Sequence, residues 1–202
     1  RSQVAGAQSL PTIRDLHAEE WFATAVNSYF HPPVKTRNLQ FAMEWFCIGS
    51  TYNELRLVCA MTALENLIES NLEDLDAHIQ TPSAYRKTKR VLRGVIRRCL
   101  EKWPSNGVEE AVQELDDRLL DLNRRSFLRK LDRLLIRWNV PLQGISGDAV
   151  KAAVNARNRV IHRGQYYEDA KPDDVDLWSH ICVVREVLAR LFFVLLGYRG
   201  HY

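Results

Sequence analysis

Apolar residues recur every three or four positions along most of this 202-residue chain, the spacing that gathers them on one side of an α-helix. Alternating Val/Ile/Thr runs bounded by Asn-Gly or Asp-Gly turns, the mark of hairpins, are nearly absent. The pattern predicts a first helix from about Leu16 to Phe30, closed by Pro32 and Pro33, which cannot continue it. A long apolar stretch follows from Phe41 to about Ile79, broken near Gly49-Ser50. Its central part puts Val58, Met61, Leu64 or Glu65, and Ile68 on one face. A third helix spans about Ser83 to Trp103 and ends at Pro104 and the Ser105-Asn106-Gly107 turn. A fourth helical region, Val108 to Trp138, carries Leu115, Leu119, Leu122, Leu128, Leu131 and Leu135 and stops before Pro141. Asp148 is placed to cap a helix from Ala149 to Arg163, with Gly164 as its left-handed terminator. The last helix, about Asp174 to Tyr198, has the clearest stripe: Leu177, Ile181, Val184, Leu188, Leu191 and Leu195 alternate spacings of four and three. The expectation is an all-α fold, a single bundle of about five to seven helices over residues 1–202, with about 1–15 flexible and no internal repeat.

Composition adds boundaries. With 46% hydrophobic and 26% charged residues, the chain is that of an ordinary globular protein. No apolar run approaches the roughly 20 residues of a membrane span; the nearest, Val183 to Leu196, is interrupted by Arg185, Glu186 and Arg190. The first eleven residues lack the apolar core of a secretion signal, and the chain does not begin with methionine. It is therefore read as a C-terminal piece of a longer, cytoplasmic protein whose N-terminal domain is missing. Cys47, Cys59, Cys99 and Cys182 form no Cys-x-x-Cys pair, and Cys47, Cys59 and Cys182 fall in apolar helical stretches as expected of small buried hydrophobes. Neither a zinc site nor a disulfide framework is expected, and no cofactor.

The chemistry concentrates between Arg157 and Gly164. Asn158 and His162 stand four apart and share a helix face, while Arg157 lies five residues before His162, roughly 140° around the helix, within reach of a long guanidinium. Histidine titrates near neutral pH and can give or take a proton. Arginine presents a planar fork that grips phosphate and stabilises charge building on its oxygens. Together they suit phosphodiester cleavage, and with RNA the 2′-hydroxyl can be the nucleophile, so that no metal is required. The same segment also suits a plain structural role, since a histidine in the last helical turn favours the helix dipole.

The Arg157-Asn158-x3-His162 segment resembles the signature of the HEPN superfamily of helical domains: Arg, a polar residue, then His after four intervening residues in all. The approach from Phe127-Leu128-Arg129-Lys130-Leu131 to Trp138, the Pro141-containing link and the lead-in from Val150 to Val154 are similar as well. So are Leu177-Trp178 and Leu188 to Tyr198. Tyr52 to Ile68, with Ala63-Leu64-Glu65, resembles the early helix of the ApeA-like branch, which is tied to bacterial defence. The resemblance covers about Phe41 to Tyr198. It implies a metal-independent endoribonuclease acting as a homodimer through its motif-bearing helices, leaving a 2′,3′-cyclic phosphate, or a product derived from it, and a 5′-hydroxyl. His162 would do acid/base work, Arg157 would stabilise phosphate, and Asn158 would orient the phosphate or the motif. In-line transfer needs a proton acceptor and a donor, and two copies across a two-fold axis supply both. Regulation by nucleotidyl transfer to a tyrosine two residues past the histidine is not expected, because Gly164 stands there and Tyr166 and Tyr167 come later. The alternative is a non-catalytic helical module for dimerisation or for binding a nucleotide or partner.

Secondary signals surround this segment. Between Arg86 and Lys102 eight basic residues face one acid, Glu101. Arg86, Arg90, Arg93 and Arg97 form a continuous stripe that could track RNA phosphates, lie in solvent, or dock on the acidic stretch Glu65 to Asp76. Arg159 and Arg163 extend the basic surface beside the motif. Glu65, acidic on an apolar face, could pair with Arg157 or sit at the edge in solvent. His17, His31, His78, His180 and His201 have no partner pattern and are expected to be structural or exposed. Trp21, Trp45, Trp103, Trp138 and Trp178 are expected as core or interface anchors. The stripe on the last helix suits intramolecular core better than a dimer seam.

Overall fold

The computed structural model describes residues 18–33, 35–102, 108–164, 166 and 176–198. The fold is all-α. Among the described residues there are nine helices and no strand: α1 Ala18–Phe30, α2 Leu39–Cys47, α3 Asn53–Asn71, α4 Asp74–Ala77, α5 Pro82–Leu100, α6 Val108–Asp121, α7 Phe127–Arg137, α8 Gly147–Arg163 and α9 Leu177–Leu195. None of them is long and apolar enough to cross a membrane.

The count exceeds the expected five to seven because two predicted stretches are divided. Phe41 to Ile79 becomes α2, α3 and the one-turn α4; the first break falls at Gly49-Ser50 as expected, and a second falls after Asn71, with Leu72 extended. Val108 to Trp138 becomes α6 and α7. No Pro or Gly marks that break. It is made by a tertiary clamp: the Asn123 side chain accepts from the Gln80 backbone N–H (2.9 Å) and donates to the Gln80 carbonyl (3.0 Å). Ile79 N–H to Asn123 O (2.8 Å) and Arg125 N–H to Ala77 O (2.9 Å) complete it. Asn123 is buried, so a continuing helix would leave these polar groups unpaired inside the protein.

α3 is the central helix and packs against α2, α7, α8 and α9, with α8 also lying against α9. Leu57, Met61, Leu64, Leu67 and Ile68 of α3 are fully buried, as are Leu177, Ile181, Leu188, Leu191 and Leu195 of α9. The α9 stripe is thus spent within the chain rather than offered to a second copy. Buried Arg190 ties α9 to the link before α8: its Nη1 donates to the carbonyls of Pro141 (3.0 Å) and Gln143 (2.9 Å), and its Nε pairs with Glu186 (2.8 Å). Trp138 is buried, Trp21 packs edge-on against Phe193 and Tyr198, and Trp45 and Trp178 are substantially exposed. Trp103 lies outside the described residues.

α5 and α6 stand apart from this core. No residue of either belongs to the central hydrophobic cluster; the two pack chiefly on each other, with Val112 and Leu119 buried between them and the Tyr85 hydroxyl donating to the Leu119 carbonyl. The bundle thus carries a helical arm, rooted at the Asn123 clamp.

The cysteine expectation needs correction. Cys59 is buried, and burial raises its thiol pKa, but Cys47 and Cys182 are exposed. Cys182 is one residue, about 100°, off the buried stripe of α9: an apolar stretch names a helix, and only the angle around it names the buried side.

Candidate functional site at the end of α8

The residues that carry the candidate chemistry lie on the last two turns of α8. The helix is started by Ser146, whose Oγ accepts from Ala149 N–H (3.1 Å). This corrects the expected cap, Asp148, which sits two residues inside, in the first turn, where its charge suits the N-terminal dipole. The helix ends where predicted. Gly164 adopts φ 78°, and its N–H bonds the Val160 carbonyl at 2.9 Å, the left-handed closure that glycine accepts most easily.

Val150, Ala153, Ala156 and Val160 form the buried face of α8. Arg157, one step round from Ala156, is directed at α3. There its Nη2 lies 3.0 Å from both oxygens of Glu65. The expected pairing is present, and it explains an acid on the central helix. The pair is partly enclosed, with side-chain exposures of 24% for Arg157 and 35% for Glu65. Arg157 Nη1 also donates to Asn158 Oδ1 at 3.2 Å. Its Nε is buried without a partner among the described residues. The guanidinium is thus held on two sides, with Nη1 retaining one proton for an incoming acceptor.

Replacing Glu65 with Gln keeps the shape but removes the countercharge. Because the pair is about one-third open to solvent, screening limits the loss to about 1 kcal/mol of folding stability. Urea denaturation should show this as a lower midpoint at unchanged slope; an unchanged midpoint would mean that the pair contributes nothing to stability.

One turn beyond Asn158, His162 is exposed and makes no hydrogen bond to any described residue. Ile161 beside it is 46% exposed, and Arg159 and Arg163 are exposed as well, with the Arg159 guanidinium 5.8 Å from the centre of the Tyr166 ring. Arg157 and His162 are thus brought onto one helix end but into different surroundings, the arginine against α3 and the histidine towards solvent. Just past the motif, Tyr166 and His180 are both buried, and the Tyr166 hydroxyl lies 3.1 Å from His180 Nε2. His180 is structural, a pin between the motif end of α8 and the first turns of α9. His31 is exposed and His78 half-buried with Nδ1 2.9 Å from the Asp74 carbonyl; His17, His201 and Tyr167 lie outside the described residues.

The basic stripe is elsewhere, on the arm. It does not dock on Glu65 to Asp76. Those acids pair instead with Arg157, with Lys130 (Glu69) and with Arg137 and Arg133 (Asp76 at 2.9 and 3.3 Å, Glu73 at 3.2 Å). The stripe's partner is α6, which carries Glu109, Glu110, Glu114, Asp116, Asp117 and Asp121. Arg93 and Lys89 reach Asp116 (both 3.5 Å), and Arg97 reaches Glu109 (2.8 Å). Arg86 and Arg90 are exposed and have no ion pair among the described residues. The acidity of α6 was legible in the sequence and identifies this partner, which a reading of the stripe alone misses.

Among the described residues no group of three or more His, Cys, Asp and Glu could hold a metal ion. Comparison with protein-family models, with curated proteins and with solved structures gave no match.

Proposed function

We propose that this chain belongs to the HEPN superfamily and is an endoribonuclease that cuts RNA by attack of the 2′-hydroxyl on the adjacent phosphodiester, at a site assembled from two copies of the chain. The observation that carries this reading is the arrangement at the end of α8: a guanidinium fixed by Glu65 and Asn158, and one turn on an exposed histidine with no hydrogen-bond partner among the described residues. The 2′-oxygen must lose a proton as it bonds to phosphorus, and the departing 5′-oxygen must gain one. A histidine near neutral pKa can do either, though not both at once. A second copy brings a second His162, and Ile161 offers apolar surface beside it for the two chains to bury. Arg157 faces the extra charge on the non-bridging oxygens. The products are a 2′,3′-cyclic phosphate and a 5′-hydroxyl, and the reaction needs no metal ion. The resemblance to the ApeA-like branch adds the biological role, a cytoplasmic effector of defence or toxicity.

The test is cleavage of a mixed-sequence RNA in EDTA, with analysis of product ends. Cyclic phosphate ends formed in EDTA support the mechanism; activity lost on chelation overturns it. A wild-type chain that is dimeric yet inert on every RNA offered would favour a non-catalytic dimerising or binding module.

The arm supplies a second contact with RNA in this reading, through Arg86 and Arg90. Reversing both charges (Arg86→Glu, Arg90→Glu) should weaken RNA binding and lower the slope of log affinity against log salt by about two. Neither residue holds an ion pair among the described residues, so thermal stability should stay within about 0.5 kcal/mol of wild type. Unchanged salt dependence would remove the arm from the binding surface.

A further inference from the structure

A cavity of about 270 Å³ opens between the end of α2 and the first turns of α3 and α9. Two guanidiniums line it, those of Arg56 and Arg185, and none of its eight lining residues carries a carboxylate. Neither arginine has an ion pair among the described residues. Two like charges facing one cavity without a counter-ion repel each other, and an anion relieves that repulsion.

The arginines are also held in place. Arg56 Nε donates to the Ser50 carbonyl, and its guanidinium lies 5.7 Å from the centre of the Trp178 ring. Arg185 Nη1 donates to the Phe46 carbonyl (3.0 Å), and its guanidinium sits 4.1 Å over the Phe46 ring. These tethers occupy Nε of one and Nη1 of the other. Both Nη groups of Arg56, and Nε and Nη2 of Arg185, have no hydrogen-bond partner among the described residues. That leaves fork-shaped donors, already positioned, suited to phosphate oxygens. Beside them Trp178 is 46% exposed, an aromatic shelf at a cavity rim. Positive charge next to a stacking platform is the combination that takes a nucleotide, phosphate on the arginines and base on the ring.

We propose that this cavity binds a nucleotide, with Arg56 and Arg185 holding the phosphate and Trp178 stacking the base. The site does not depend on the ribonuclease reading, since it can be filled whether or not His162 cuts RNA. Its ligand is a free mononucleotide or one nucleotide of a strand, and the chemistry of capture is the same.

Exposed Cys47 lines the cavity and reports on it, while exposed Cys99 on the arm serves as reference. The rate of alkylation by iodoacetamide at each cysteine of the full chain is to be followed by peptide mass spectrometry. Three probes are compared: AMP, a 2′-O-methyl adenosine hexanucleotide that cannot be cleaved, and inorganic phosphate. AMP or the hexanucleotide should slow modification of Cys47 at least about threefold and leave Cys99 unchanged. Protection by AMP identifies a free nucleotide; protection by the hexanucleotide alone identifies a nucleotide within a strand. Arg56→Gln and Trp178→Ala should each raise the concentration needed for protection about tenfold, with the far-UV circular dichroism of wild type. The proposal is overturned if neither nucleotide probe protects, if inorganic phosphate protects as well as AMP, or if both variants are protected like wild type.

Discussion

Changing His162 to Ala should lower the rate of RNA cleavage by about a thousandfold, within the 10²–10⁴ range of a lost general acid or base, or about 4 kcal/mol in transition-state free energy. Little else should change. The ring is exposed and holds no hydrogen bond among the described residues, so its removal leaves no buried group unpaired. Circular dichroism, mass in solution and melting temperature should match wild type, which separates a chemical defect from a folding one. A mixed dimer sharpens the expectation. If one His162 accepts the proton from the 2′-oxygen while the other donates to the 5′-oxygen, a dimer with one wild-type and one substituted chain has lost a half-reaction. Its rate should lie near that of the doubly substituted dimer, because groups acting as a unit are not additive. A mixed dimer at half the wild-type rate would show that each chain works alone, and survival of activity in His162→Ala would remove this histidine from the mechanism.

The end of α8 was legible because its signals are local. Gly164 stops a helix by its own backbone freedom, and the four-residue spacing of Asn158 and His162 follows from helix geometry. The Arg157–Glu65 pair joins residues 92 apart, and only the oddity of an acid on an apolar face pointed to it. Sequence alone therefore leaves Glu65 two surroundings, Arg157 or solvent. The break between α6 and α7 was not legible. Leu115, Leu119 and Leu122 continue smoothly towards Leu128, and what stops the helix is the Asn123 side chain gripping Gln80. An asparagine in a helical pattern is an ordinary sight until its distant partner is known. At the start of α8 the sequence offers both Ser146 and Asp148, and it is Ser146 that takes the cap bond from Ala149 N–H. The cavity between Arg56, Trp178 and Arg185 gave no signal either: Trp178, Ile181 and Arg185 share one face of α9, but nothing local says that Arg56 of α3 and the end of α2 meet that face. What the chain states locally is where helices begin, end and face; what it leaves to tertiary structure is which of two plausible partners a polar side chain takes.

The stripe on the last helix offers the largest stability test. Leu188 is fully buried, in the middle of a row whose members, Leu177 to Leu195, are all at most 2% exposed. Cutting it to alanine removes three buried carbons and leaves a hole that rigid neighbours on α3 and α8 cannot fill, a loss of about 2–5 kcal/mol. For a chain of about 200 residues each kcal/mol moves the melting temperature by roughly 2–4 °C, so a drop of about 10 °C is expected. Ile136, 78% exposed on α7, is the control: Ile136→Ala should stay within about 0.5 kcal/mol of wild type. Protein concentration distinguishes core from seam. A stripe buried within one chain makes the difference in melting temperature between wild type and Leu188→Ala independent of concentration. If the stripe were a seam between copies, weakening it would change how melting depends on concentration. Melting curves at two concentrations tenfold apart should therefore keep the gap constant. A gap that widens on dilution would place α9 between copies of the chain rather than in the core of one.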